Sequence, residues 1–264
     1  MGGANLNFLG MFQEWMAVGE FAKFARSAWS WPMLPRARRP RPILLIPGFL
    51  AGDVSLYPFA NWLRSRGHQV FFSGMVSNMD CPRRTMDRLA ETLKNLHARY
   101  ERKLVVIGHS LGGVYARELA RRCPDAVAQT ILLGAPVRDG GRGNPFIRML
   151  ASLTIGVNQR SRGCRCELFD ICGIRSAEPS PDVPEAIIYS RSDAVVDWMT
   201  CIESGPKVRV FEVDSTHVGL PYNLETLRIV RELIESGYDE DDNLTRTNGR
   251  HSASPAPARA SADR

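Results

Sequence analysis

Six short strand-like runs, separated by amphipathic stretches, dominate the sequence between Ile43 and Ser236. They are Ile43–Ile46, Gln69–Phe72, Leu104–Ile107, Thr130–Leu133, Ala186–Tyr189 and Val208–Val213. Helical spacing marks Leu56–Ser65, Arg84–Tyr100, Gly112–Arg122 and Leu224–Ser236; Met86, Leu89, Leu93 and Leu96 share one face of the longest. Runs as apolar as Ile43–Ile46 and Leu104–Ile107 leave no solvent face, and helices between the strands supply the cover. The pattern therefore predicts the α/β class, with a mostly parallel sheet flanked by helices. A chain of 264 residues with 44% apolar and 23% charged residues has the composition of a globular protein. That excludes a disordered chain, a collagen-like repeat and a polytopic membrane protein.

Three regions depart from the alternation around a main domain at residues 43–238. Arg138–Pro184 is rich in Gly, Pro, Arg and Cys, with one helical stretch around Pro145–Leu153. It reads as a small irregular cap inserted at about 138–184. Residues 239–264 turn acidic and then Ala/Ser/Pro/Arg-rich, the composition of a disordered tail. Residues 1–42 read as an amphipathic helix followed by a Pro/Arg linker, since Phe8, Met11, Phe12, Trp15, Val18 and Phe21 recur at spacings of three and four. No basic segment precedes this stretch, Glu14, Glu20 and Lys23 interrupt it, and no apolar run is long enough to span a bilayer. A cytoplasmic location is the expectation. The apolar face is expected to pack on the domain, the alternative being peripheral membrane contact on a lipid surface with Lys23 and Arg26 toward headgroups.

The net charge of +6 is concentrated early, where Lys23, Arg26, Arg36, Arg38, Arg39 and Arg41 face only Glu14 and Glu20. Arginines among prolines read as a solvated linker, and with no nucleic-acid-binding motif no nucleic-acid partner is expected. The six cysteines are too few for a disulfide scaffold. Cys164, Cys166 and Cys172 lack the paired spacing of a zinc site, so no metal is expected; one disulfide tying the insertion to the segment around Cys201 is.

The chemistry centres on Gly108-His109-Ser110-Leu111-Gly112, followed by Gly113. This G-x-S-x-G pattern is short enough to arise by chance. Here it directly follows the strand Leu104–Ile107 and opens a helix, the setting of a nucleophile elbow. A hydroxyl in such a turn is exposed above the sheet, and the glycines let neighbouring backbone approach. The competing reading makes Ser110 an ordinary helix N-cap. A serine nucleophile needs a base. Of five histidines, His251 falls in the tail, His109 within the elbow, His97 on a helix surface and His68 before a strand. His217 lies in a loop after the strand Val208–Val213, at the strand ends where sites of parallel sheets gather. The base needs a carboxylate to fix its tautomer. Asp193, just past Ala186–Tyr189, is favoured over Asp197 and Asp214. An oxyanion would be held by the backbone N–H groups of Leu111 and Phe49, the latter in the loop Pro47-Gly48-Phe49-Leu50.

From Ile43 to Ser236 the chain resembles the α/β-hydrolases, and within them the bacterial lipase and esterase branch. The resemblance rests on Pro47-Gly48-Phe49, Gly108-His109-Ser110-Leu111-Gly112-Gly113, Leu133-Gly134-Ala135-Pro136, Ser192-Asp193 and His217-Val218-Gly219-Leu220. It implies the α/β-hydrolase fold, with Ser110 as nucleophile, Asp193 as acid, His217 as base, and Phe49 and Leu111 as oxyanion donors. Pro47 stands where many relatives have histidine. The implied reaction is cofactor-free hydrolysis of a small-molecule or lipid carboxylic ester through an acyl-serine intermediate. An acyltransferase or amidase with the same triad is the nearer alternative, and a non-catalytic binding protein on this fold the more distant. Phe146, Ile147, Met149, Leu150 and Leu153 would either line an acyl pocket or form the core of the cap.

Overall fold

The structure is a computed structural model that describes residues 16–27, 31, 35–138 and 178–249, with the backbone alone at 16–17 and 237–249. Helix α1 (Met16–Ser27) precedes strand β1 (Pro42–Ile46). A 3-10 turn at Asp53–Leu56 leads into α2 (Tyr57–Ser65), then β2 (Gln69–Phe72), α3 (Pro82–Tyr100) and β3 (Leu104–His109). Next come α4 (Leu111–Arg122), β4 (Val127–Leu133), β5 (Glu185–Tyr189), β6 (Val208–Glu212) and α5 (Leu224–Gly249).

All six expected strands form, in the order β2-β1-β3-β4-β5-β6, and every pairing is parallel rather than merely most of them. The two-residue period of each strand divides the core cleanly. Leu44, Ile46, Val106, Leu132 and Ile187 meet Met86, Leu89 and Leu93 of α3 and Val114 and Leu119 of α4 on one face. Ile43, Leu45, Val105, Ile107, Ile131 and Ile188 meet Phe59 and Leu63 of α2 and Leu227, Val230 and Leu233 of α5 on the other. Phe24 of α1, a residue outside the expected apolar face, joins this second layer at 2% exposure, whereas Val18 and Phe21 of that face are exposed, Phe21 resting edge-on against Tyr222. Burying the Phe24 ring stabilises by roughly 1.5–3 kcal/mol. Phe8, Met11, Phe12 and Trp15 lie outside the described residues. No described helix is long and apolar enough to cross a membrane.

Strand β1 connects to β2 on one side, and the chain then crosses back over β1 to reach β3. This reversal is a topological switch point, where the loops leaving the carboxyl ends of β1 and β3 diverge and open a crevice. Both loops carry residues singled out from the sequence.

Two expectations are corrected. The last helix does not end at Ser236; it runs to Gly249, so residues 239–249 are helical instead of tail. Extending an existing helix avoids the cost of nucleation. The Cys201 thiol is free rather than disulfide-bonded, at 1% exposure in the α3/α4-side core, where burial raises its pKa. Cys164, Cys166, Cys172 and most of the expected cap, residues 139–177, lie outside the described residues.

Candidate active site

Ser110 occupies the tight turn between β3 and α4, with φ 53° and ψ −123°. An L-residue avoids this region, at a cost of about 1–3 kcal/mol unless the surroundings impose it. They do so here: the Ser110 N–H donates to Leu133 O at 2.8 Å, and its carbonyl accepts from Gly113 N–H at 2.9 Å. The turn needs its flanking glycines for close approach. A Cβ on Gly108 would fall 2.1 Å from Gly112 O, and one on Gly112 would fall 2.2 Å from Ile46 O. The Ser110 side chain makes no capping hydrogen bond to α4, so the N-cap reading fails.

His217 follows β6 in the loop leading to α5. Its Nδ1–H donates to Asp193 Oδ2 at 2.6 Å, with both side chains buried. The other oxygen of Asp193 accepts from the N–H groups of Val195 and Val196 at 2.8 and 2.7 Å, which fixes the carboxylate plane. The two other carboxylates considered are engaged elsewhere. Asp197 caps the short helix Trp198–Thr200 through Met199 N–H, and Asp214 accepts from Ser192 Oγ at 2.8 Å.

The elbow and this pair meet at one corner of the sheet. Leu133 O, which receives the Ser110 N–H, is followed by Gly134; a Cβ there would lie 3.3 Å from both Asp193 Oδ2 and His217 Nδ1. His109, beside Ser110, stands 4.9 Å from the His217 ring, centre to centre, and its Nε2 is 2.9 Å from His217 O. Burial and the neighbouring His217 lower the His109 pKa to about 3, so the ring is neutral.

The loop after β1 lies against Ser110: a Cβ on Gly48 would approach Ser110 Cβ to 3.1 Å. Among the described residues no acceptor is seen for the N–H of Phe49 or of Leu111, the first residue of α4. Leu50 is held at φ 61°, a second strained residue in the same crevice. The loop is laced to the segment after β2. Asn78 Nδ2 donates to Pro47 O at 2.9 Å, Leu50 N–H to Asn78 O, and Asn78 N–H to Ala51 O. Asp53 gathers Ser73 Oγ, Gly74 N–H and Met75 N–H at 2.6, 2.7 and 3.0 Å. Asn78 and Asp53 were not singled out from the sequence, because support of this kind has no local signature. Leu50, Val54 and Tyr57, between the end of β1 and the first residue of α2, and Val218, in the loop after β6, stand exposed.

Glu20 was not singled out either. It reaches from α1 to the residue preceding His217, with Oε2 accepting from Thr216 N–H at 3.0 Å and Thr216 Oγ1 at 2.7 Å. Among the described residues no three His, Cys, Asp or Glu side chains cluster as metal ligands would.

No protein-family model matches the sequence, and no curated protein matches it. Solved structures do. The chain is similar to the Paleococcus ferrophilus monoacylglycerol lipase at 12% identity and TM-score 0.55, over 77% of this chain and 96% of that one. It is similar to a Bacillus licheniformis lipase at 13% identity and TM-score 0.53, over 75% and 94%. A putative aryl esterase from Burkholderia cenocepacia gives 18% identity and TM-score 0.52, over 78% and 93%. At these identities the likeness speaks for the fold.

Proposed function

We propose that this chain, which has the α/β-hydrolase fold, is a serine hydrolase that cleaves carboxylic esters. The observation that carries the reading is the 2.6 Å hydrogen bond from His217 Nδ1 to the buried, doubly tethered Asp193, at the same strand ends as the strained Ser110 turn. An imidazole bonded this way through Nδ1 presents a basic Nε2.

In the proposed reaction His217 Nε2 accepts the Ser110 hydroxyl proton as Oγ attacks the ester carbonyl. The oxyanion forms toward the N–H groups of Phe49 and Leu111, at the positive end of α4. The tetrahedral species collapses with cleavage of the carbon–oxygen bond, and His217 protonates the departing alcohol. Water, deprotonated by His217, then attacks the acyl-serine, and collapse releases the carboxylic acid and restores Ser110. Asp193 remains ionised and steadies the imidazolium. The exposed Leu50, Val54, Tyr57 and Val218 favour esters with apolar acyl or alcohol groups. The neighbours named as lipases and an esterase are in keeping with this reading.

A chain-length series of p-nitrophenyl esters tests it. Turnover by the wild type is expected to fall by at least about 10³-fold in Ser110→Ala and by about 10⁴-fold in kcat for Asp193→Asn. Turnover that survives Ser110→Ala refutes the reading, and no turnover at any chain length refutes it in favour of a binding protein. Product diverted to added alcohol or amine assigns acyl transfer instead.

A further inference from the structure

We propose that Glu20 of the N-terminal helix α1 is a positioning residue for His217. The proposal rests on the serine-hydrolase reading above and adds a residue remote from the triad in sequence.

If α1 served only to cover apolar surface, Phe24 would suffice and Glu20 would be free to point into water. Instead its carboxylate bridges both ends of the loop that carries the base. Oε2 accepts from the main-chain N–H and the hydroxyl of Thr216, immediately before His217. Oε1 accepts from Asn223 Nδ2 at 3.1 Å, at the start of α5. The Asn223 amide also donates to Asp214 O at 2.9 Å, so both ends of the 214–223 segment are tied to one point. Thr216 Oγ1 passes the restraint on by accepting from Gly219 N–H at 3.0 Å. The approach is close: a Cβ on Gly219 would fall 1.7 Å from Glu20 Oε2, so a side chain there would push the carboxylate aside.

Hydrogen bonds to a carboxylate are roughly twice as strong as neutral ones. The base is thus restrained from three directions. Asp193 holds the ring, His109 holds the carbonyl of His217, and Glu20 holds the peptide that enters it. Without Glu20, Thr216 N–H and Asn223 Nδ2 both lose a charged acceptor, and the His217 backbone can drift. A misplacement on the order of 1 Å costs about 10²-fold in rate.

The test uses the full chain with Glu20→Ala, Glu20→Gln and, as a helix-docking control, Phe24→Leu. Glu20→Ala is expected to lower kcat on a p-nitrophenyl ester by about 10- to 10²-fold, with KM changed less than about threefold. Glu20→Gln, which retains one accepting oxygen, falls between Glu20→Ala and the wild type. Phe24→Leu loosens the helix packing without touching the carboxylate and keeps kcat per folded molecule within about twofold. Two readouts need no substrate. The far-downfield proton resonance of His217 Nδ1–H should broaden in Glu20→Ala, and amides 216–219 should exchange faster while those of β3 and β4 do not change.

Glu20→Ala that matches an active wild type in kcat, resonance and loop exchange overturns the proposal alone. A loss of kcat reproduced by Phe24→Leu also overturns it, because helix docking would then account for the effect. Wild-type protein that hydrolyses no ester overturns the reading beneath it, whatever the loop does.

Discussion

The His109 ring donates its Nε2–H to the main-chain oxygen of His217 across 2.9 Å. The residue beside the candidate nucleophile therefore braces the peptide of the candidate base. Neutrality is required for a buried imidazole packed 4.9 Å from a second one, and burial supplies it by holding the His109 pKa near 3.

Stability should consequently fall on acidification. An unfolded histidine takes up a proton near pH 6.5, whereas folded His109 resists until about pH 3. Folded His68, buried beside Arg41 and Arg66 and accepting from Arg41 N–H, resists until about pH 4. The unfolded state thus binds more protons than the folded one below pH 6.5. Stability is complete above that pH and is lost progressively as pH falls toward 4 and then 3. Each group contributes a slope of up to about 1.4 kcal/mol per pH unit within its window. Urea midpoints measured from pH 7.5 to 4.5 should decline, and His109→Gln, which preserves an N–H donor, should flatten the decline. An unchanged slope in that variant contradicts the assignment.

The loop carrying Phe49 should be sensitive to a residue that touches neither ester nor triad. Asn78, at 2% exposure, donates to Pro47 O and clasps Leu50 and Ala51 through its backbone. Asn78→Ala removes the bond to Pro47 and, under the proposed function, would let the Phe49 N–H wander from the oxyanion. The expected loss in kcat is about 10-fold, below the 10²–10³ that follows removal of a whole donor. Steady-state kinetics check this, with KM expected to stay within about threefold.

Arg117 and Glu185 should matter to stability and leave the chemistry alone. Both side chains are buried, and two hydrogen bonds of 3.0 and 2.5 Å join them, tying α4 to β5 behind the elbow. Arg117→Met strands a buried carboxylate and should destabilise by about 3–5 kcal/mol. Adding Glu185→Leu should recover most of that loss, because the pair's desolvation cost disappears with the pair. Denaturation of both variants, with kcat per folded molecule as a control, decides the matter.

While β6, with Arg209 and Glu212, was legible from its place in the alternation, most of the sheet was legible because its central strands are compact apolar runs whose length and flanks need no distant information. Ser110 was legible for the same reason, since its strand, turn and helix are contiguous. Asp193 and His217 could be reached because both follow strands, and strand ends are where a parallel sheet exposes its loops. Glu20 could not be reached. A glutamate on an amphipathic helix looks the same in sequence whether it meets water or the Thr216 peptide, and nearly two hundred residues separate it from that partner. Asn78 and Asp53 escaped for a similar reason: their partners are main-chain groups, which every sequence supplies equally. Cys201 misled because nothing local in the sequence tells a free thiol buried in the core from a bonded one.

The bond between Glu20 and the Thr216–Asn223 loop also orders events in time. Synthesis makes α1, β1, β3 and the elbow before the Thr216–Asn223 loop, so Ser110 can take its place in a partly built sheet. Until Thr216, His217 and Asn223 follow, Glu20 lacks these partners and Phe24 lacks its neighbour Tyr222. Under the proposed function, a nascent chain at that stage would hold the candidate nucleophile without its candidate base. Reactivity would then arrive only when the later segment closes onto the earlier one.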